Sequence, residues 1–253
     1  MIEAVFLDVG GVFHLPAEER MREALRAAGF ELPPNVLARA HYAGMAGHDR
    51  LQGGDRAEAL PSTVDRGDVP PQIKGEYVEL MGPYVEEMVR DLAVPVEQVA
   101  AAEAALLNAL TTPGAWAGHL RESVEQLPAL AATGARIAIV SNADGTVEAR
   151  LREEGICQVG SGAGVPVDAV IDSGAVGVRK PDPRIWGPAL AATGAKAEAS
   201  IHVGDSLLTD VGGARAAGIR PIHFDPFRLC HLTDHEHADS MAAVVGLVRE
   251  SRR

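Results

Sequence analysis

Five short apolar runs, each closed by glycine or polar residues, constrain this chain most: Ile2 to Val9, Arg136 to Val140, Ala169 to Ile171, Ile201 to Val203 and Pro221 to Phe224. Runs so short and so continuously apolar suit strands buried on both faces of a sheet. Helical stretches alternate with them, around Leu120 to Ala132, Thr146 to Glu154, Arg184 to Ala192 and Asp210 to Ala217. Strand and helix in alternation imply βαβ units. The expected fold class is therefore α/β, with a Rossmann-like doubly wound parallel sheet as its core.

From Pro16 to Ala117 no comparable run occurs, and the stretch is rich in Ala, Glu, Leu and Met. Helices are expected over Ala17 to Ala28, Asn35 to Ala46, Tyr77 to Asp91 and Val96 to Leu110, parted by Pro33-Pro34, Gly53-Gly54 and Pro70-Pro71. The expected division is a core of residues 1–15 and 118–253, with a helical cap of residues 16–117 inserted after the first strand. The chain crosses between them at Phe13 to Pro16 and at Thr111 to His119, an arrangement that suits a hinged lid.

The charge balance narrows the partners. With 23 Lys and Arg against 35 Asp and Glu, the net charge is −12, which repels nucleic acids and anionic lipid. Aromatic residues are only 4%, so little surface exists on which bases could stack. A small anionic substrate remains allowed, because one metal ion and one lysine reverse the field locally. Cys157 and Cys230 form no CxxC pair and no disulfide framework, which suits a reducing cytoplasm. The segment MIEAVFLDVGGVF has Glu3 where an export signal carries positive charge, so neither export nor membrane anchoring is expected. Oligomeric state leaves no trace in the sequence.

Ligands of an open parallel sheet bind at the carboxyl ends of its strands, so the residues just after each run matter most. These are Asp8-Val9-Gly10-Gly11, Ser141-Asn142, and Gly204-Asp205-Ser206 followed by Asp210, with Lys180 placed between the third and fourth runs. A carboxylate nucleophile, a hydroxyl, a lysine and two further carboxylates at one rim suit phosphoryl transfer. The plainer readings stand beside this one: Asp205 and Asp210 as helix caps, Ser141-Asn142 as a turn, Lys180 as a surface lysine.

VFLDVGGV (Val5 to Val12), IAIVSNADG (Ile137 to Gly145), GVRKPDPRIW (Gly177 to Trp186) and IHVGDSLLTDVGGARAAG (Ile201 to Gly218) resemble, in order, the four motifs of the haloacid dehalogenase-like superfamily. The inserted helices are similar to the family's alpha-helical cap placed after the first motif. The resemblance implies that Asp8 attacks phosphorus and forms an aspartyl-phosphate. It implies that Ser141, Asn142 and Lys180 bind the phosphoryl oxygens, with Lys180 also orienting Asp8. Mg²⁺ would be held by Asp8, the backbone carbonyl of Gly10, Asp205 and Asp210, an all-oxygen set that suits a hard cation.

The sequence departs from the family at Gly10, where phosphatases carry a second aspartate as general acid. Losing such a group typically costs ~10²–10⁴ in rate. The expected activity is thus a Mg²⁺-dependent hydrolase of a small phosphate ester, slow or restricted to good leaving groups. The alternatives are a phosphate-metabolite binding protein weakened in catalysis, and a metal-independent haloacid dehalogenase.

Other features invite weaker readings. His14 could supply the missing acid but reads first as a loop histidine. Asp144-Gly145-Thr146 mimics the first motif but reads as a turn leading into a helix. Cys230, His231, His235, His237 and Asp239 could suggest zinc, yet their spacing is not that of a structural zinc motif, and a solvated loop is expected. Gly160 to Gly164 is expected to be a flexible connection rather than a dinucleotide loop. Specificity is expected from the cap, around Gly44 to Gly54 and Pro61 to Pro71, with His41, Tyr42, His48 and Arg50 as candidate pocket residues.

Overall fold

The structure is a computed structural model that describes residues 1–51 and 74–253. The breakers Gly53-Gly54 and Pro70-Pro71, and the cap loop Pro61 to Pro71, lie outside the described residues. In chain order the strands are β1 (Ala4–Leu7), β2 (His14–Leu15), β3 (Gly118–His119), β4 (Arg136–Ser141), β5 (Cys157–Val159), β6 (Val165–Val167), β7 (Ala169–Asp172), β8 (Ser200–Gly204), β9 (Arg220–Phe224) and β10 (Glu236–Ala238). The α-helices are α1 (Glu18–Ala27), α2 (Leu37–Leu51), α3 (Lys74–Asp91), α4 (Val99–Leu110), α5 (Arg121–Ala131), α6 (Val147–Glu153), α7 (Ser173–Val176), α8 (Trp186–Thr193), α9 (Gly213–Ala216) and α10 (Met241–Ser251).

Six strands form one parallel sheet in the order β10-β9-β8-β1-β4-β7. Alternation along β1 explains why its run is apolar without interruption. Val5 and Leu7 face one layer with Ile137, Ile139, Ile201 and Val203, under α5 and α10. Ala4 and Phe6 face the other layer with Ala138 and Val140, under Trp186 and Ala189 of α8. A strand covered on both faces has no polar side to show. α10 closes the first layer through Met241, Val244, Val245 and Val248, an i, i+3, i+4, i+7 stripe, and the Ser240 hydroxyl caps its start by accepting from the Ala243 amide.

Helices α1 to α4 enclose a separate apolar cluster, including Met21, Leu25, Val85, Met88 and Leu106. In α1 the buried Met21 and Leu25 stand four residues apart on one face. Glu18 and Glu19 in its first turn and Arg26 in its last complement the helix dipole. Tyr42 of α2 instead joins the sheet-side cluster, with Val9, Val12 and Phe13. No helix among the described residues is long and apolar enough to cross a membrane.

Three expectations change. The segment after Phe224 is not simply a solvated loop: Glu236–Ala238 adds β10 to the sheet edge, and the His235 side chain is only 1% exposed. The connection Gly160 to Gly164 is held, not loose, because the buried Gln158 side chain accepts from Gly164 N and donates to the Gly160 and Gly164 carbonyls. The stretch expected as one helix from Asp210 to Ala217 opens as a wide turn over Leu207–Gly212, where Val211 N bonds Ser206 O five residues back, before α9 begins. Such π-type turns gather at functional sites.

Candidate active site

Register brings the expected residues to one rim. Leu7 is level with Ile139 and Val203, so Asp8, Ser141 and Asp205 all emerge at the carboxyl end of the central strands. After β1 the chain turns sharply, with the Val9 carbonyl accepting from the amides of Val12, Phe13 and His14. Gly11 makes that turn possible at φ +66°, and a Cβ there would overlap the Asp205 carboxylate. Gly204 likewise leaves room only for the Asp210 carboxylate.

Lys180 is the hub. It is buried, with Nζ 2.8 Å from Asp8 Oδ2 and 2.6 Å from Asp210 Oδ1. Its backbone is held by Asn142, whose Oδ1 accepts from Lys180 N at 2.8 Å and whose Nδ2 donates to Lys180 O at 3.0 Å. Asp210 Oδ1 also receives His202 Nε2 at 2.8 Å, and Oδ2 receives the Ser206 amide at 3.1 Å. Asp8 Oδ1 accepts from the Val9 amide at 2.7 Å. Ser141, buried at the end of β4, completes the rim.

The carboxylates differ in character. Burial pushes Asp8 up to about 7; Lys180 pulls it back in part, while Asp210 and Asp205 push it further up. Burial acts on Asp210 in the same direction, but Lys180 and His202 outweigh it and hold its carboxyl below the usual range. Burial would lower Lys180, yet Asp210 and Asp8 overcome it and raise the ammonium, so Lys180 stays charged.

Ligand oxygens of Asp8, Asp205 and Asp210 all lie within 4.8 Å of one another. Three buried carboxylates set against one lysine leave an excess of negative charge, which a protein interior relieves by protonating one of them or by binding a further cation. The donors are all oxygen, so the residues fit a hard divalent ion such as Mg²⁺.

Residues of the inserted helices reach this rim. His41 Nε2 lies 2.9 Å from Asp205 Oδ2, and its Nδ1 lies 2.9 Å from the Tyr84 hydroxyl. Tyr42 donates to the Gly11 carbonyl at 2.6 Å. Asp49 accepts from Ser206 Oγ at 2.7 Å and from the amides of Leu207 and Leu208 at 2.5 and 3.3 Å. Burial pushes Asp49 up to about 7 despite those three donors. A cavity of about 190 Å³ opens beside Asp205, walled by Tyr42, Asp49, Arg50, His223 and the segment Leu229 to Leu232.

The sequence signals missed Asp49, Tyr84 and His202. His202 carried a usable one: a histidine inside an apolar strand needs a buried polar partner, and Asp210 is that partner. His14, weighed as a stand-in acid, is committed elsewhere, with Nε2 2.6 Å from Glu154 Oε2 and Nδ1 3.2 Å from Arg150 Nη2. The Asp144 carboxylate accepts from Thr146 N and Oγ1, a turn that leads into α6. Replacing Lys180 with Met would leave two buried carboxylates facing one another. Denaturant unfolding of the metal-free variant is expected to show a loss of about 3–5 kcal/mol.

Among curated proteins, 67 residues are 45% identical to a phosphoserine phosphatase of Thermus thermophilus, covering 26% of this chain and 27% of that protein. A 118-residue stretch is 31% identical to a ribulose-1,5-bisphosphate 5-phosphatase of Halopiger xanaduensis, covering 44% and 46% respectively. The chain thus spans about a quarter to a half of the length of these relatives. A HAD phosphatase from Thermococcus onnurineus shares the fold over 97% of both chains at 19% identity and a TM-score of 0.52. A HAD-hydrolase of Bacillus subtilis, solved bound to magnesium, does so over 98% of both at 15% identity and 0.53. The pattern of the haloacid dehalogenase-like hydrolases matches residues 2–218, the span that runs from β1 through the wide turn holding Asp210. With its motifs gathered at one rim of a parallel sheet, this chain belongs to the haloacid dehalogenase-like hydrolase family.

Proposed function

We propose that this hydrolase is a Mg²⁺-dependent phosphatase of small phosphorylated metabolites, working through a phosphoryl group carried on Asp8. The observation that carries the reading is Lys180, buried between Asp8 and Asp210 at the rim where Ser141 and Asp205 also end. Asp8 attacks phosphorus, the bond to the leaving oxygen breaks, and water later releases phosphate from the Asp8 carboxylate. Lys180 and Ser141 neutralise the equatorial oxygens, while Asn142 and Asp210 keep Lys180 in place. Asp8, Asp205, Asp210 and the Gly10 carbonyl would hold Mg²⁺, which would supply positive charge to the phosphoryl oxygens when bound. Helices α1 to α4 act as the cap over residues 1–15 and 118–253, with His41, Tyr42 and Asp49 contacting the core. The phosphatase names of the relatives support the substrate class. A reducing cytoplasm, in which Cys157 and Cys230 stay out of disulfides, completes the reading.

Gly10 sets the limit, for it has no proton to give a leaving alcohol. Turnover is expected with p-nitrophenyl or acyl phosphates in Mg²⁺, and a rate no higher than that of Asp8→Asn across a broad phosphate panel would reject the reading. Gly10 also favours a second reading, a binding protein for a phosphorylated metabolite. Tight binding without any product would support that one.

The pH dependence follows from two groups. Asp8 and Asp49 hold their protons up to about 7 in the folded chain, against an ordinary value of 3.8. Between about pH 4 and about pH 7 the folded state binds more protons than the unfolded state, so these groups lower stability as pH rises through that window. Mg²⁺ competes with the Asp8 proton. Thermal denaturation with and without Mg²⁺ is therefore expected to show a larger metal-induced rise in Tm at about pH 8 than at about pH 5.5. Equal rises at both would contradict metal binding at Asp8.

A further inference from the structure

His223 at the end of β9, Cys230, His235, and His237 in β10 bring one ligand atom each within 4.8 Å of the others. Three of the four lie in the His-rich segment, and the sheet supplies His223 from seven residues before Cys230. His223 Nδ1 is 3.2 Å from His235 Nε2, and Cys230 Sγ is 3.7 Å from that same Nε2.

Each imidazole has its other nitrogen engaged outside the cluster. His223 Nε2 meets the Asp205 carbonyl at 3.2 Å, His235 Nδ1 the Asp234 carboxylate at 2.8 Å, and His237 Nε2 the Leu232 carbonyl at 3.0 Å. Those partners only accept, so the proton of each neutral ring sits on the outward nitrogen. The inward nitrogens then present lone pairs to one another, and two lone pairs at 3.2 Å repel unless a cation lies between them. A histidine bonded outward to a carboxylate or carbonyl, with its other nitrogen turned to a common point, is the pattern that orients metal ligands.

The distances favour a metal ion over a shared proton. Around tetrahedral zinc, with Zn–N of about 2.0–2.1 Å and Zn–S of about 2.3 Å, neighbouring ligands stand roughly 3.3 Å apart for N to N and roughly 3.6 Å for N to S. A shared proton would involve two of the four groups and leave the thiol and the third ring without a reason to converge. The Asp225 carboxylate fixes the approach of Cys230 by accepting from the amides of Leu229 and Cys230 at 3.0 and 2.8 Å.

We propose that His223, Cys230, His235 and His237 form a four-ligand zinc site that fastens the segment from Asp225 to Ala238 to the sheet beside the active rim. Four protein ligands leave no open position, so the site is structural. It has a functional address nonetheless: His223 and Cys230 line the cavity beside Asp205, together with His231 and Leu232. The metal would hold that wall in one shape. His231 and Asp239 stay outside the ligand set, since neither joins the group whose ligand atoms converge, and Asp239 is paired to Arg228.

The test uses the full chain, stripped with a chelator, kept in excess Mg²⁺ to saturate the oxygen-lined site, and titrated with Co²⁺ and then Zn²⁺. The proposal expects one equivalent of Co²⁺, a thiolate-to-cobalt charge-transfer band, and loss of that band when Zn²⁺ is added. Cys230→Ser should abolish the band, and His235→Ala should weaken Zn²⁺ binding at least ~10²-fold, with circular dichroism unchanged in both. The band separates this site from His14, His119 and Glu154, a second described cluster that contains no sulfur. If the variants fail to fold, the wild-type spectrum decides alone. No charge-transfer band, or Zn²⁺ retention equal in wild type and Cys230→Ser, would overturn the proposal.

Discussion

Asp8→Asn is expected to lower turnover of p-nitrophenyl phosphate at least ~10⁴-fold in saturating Mg²⁺, the scale seen when a covalent nucleophile is removed. The amide keeps the shape of the carboxylate: its oxygen still accepts from the Val9 amide and the ion pair between Lys180 and Asp210 stays in place, while its NH2 group no longer accepts from Lys180 Nζ. The variant should fold, and for a reason visible in the site. Asp8 is costly to ionise, being buried among carboxylates, and a neutral residue escapes that cost. The expected outcome is a protein that stays folded without metal at about pH 8, yet is inactive. A variant that unfolds would contradict the electrostatic account, and one that keeps its activity would contradict the chemical one. Steady-state kinetics and thermal denaturation on one preparation separate the two.

Gly10→Asp is expected to act in the opposite direction, raising the rate at which alkyl phosphates phosphorylate Asp8 about 10²-fold while changing that step with p-nitrophenyl phosphate little. The difference between substrates is the point of the experiment. An alkoxide leaves poorly without a proton, whereas nitrophenolate leaves unaided. The site can accept the change: a Cβ on Gly10 meets nothing within 4 Å, and Gly10 is absent from the positive-φ glycines, so an aspartate fits its backbone. Gly11, next in the chain, has no such room. The added carboxylate also increases the negative charge at the rim, so the variant should need Mg²⁺ more strongly than wild type does. Equal changes on both substrates would show that the missing acid is not the limit.

Much of this was legible in the sequence because the sheet is parallel and covered on both faces. Its apolar runs located β1, β4, β7, β8 and β9 to within a few residues, and the carboxyl ends of those strands located Asp8, Ser141, Asp205 and Asp210. β10 escaped because an edge strand of three residues, Glu-His-Ala, has no apolar run to read. The contacts across the inserted helices escaped for a different reason. His41 and Asp49 reach Asp205 and Ser206 across 164 and 157 residues, and no local pattern encodes such a meeting. Asn142 was legible as a rim residue but not in its task. Its side chain lies on the backbone of Lys180, a contact only the crossover between β4 and the following strands creates. The cluster around His235 lacks the spacing of a zinc motif in the sequence, because one of its four members comes from β9 and only the fold brings it near.

The proposed reaction passes a phosphoryl group through Asp8, and Gly10 makes that step observable. With no acid-base residue to activate water, the phosphorylated Asp8 should be lost slowly and accumulate. Intact-mass measurement after mixing the protein with acetyl phosphate and Mg²⁺ tests this most directly. One added phosphoryl group per chain is expected, mapped to Asp8, absent in Asp8→Asn or with chelator, and short-lived in Gly10→Asp. Phosphate release at an undiminished rate from Asp8→Asn, or a label mapped to another residue, would contradict it.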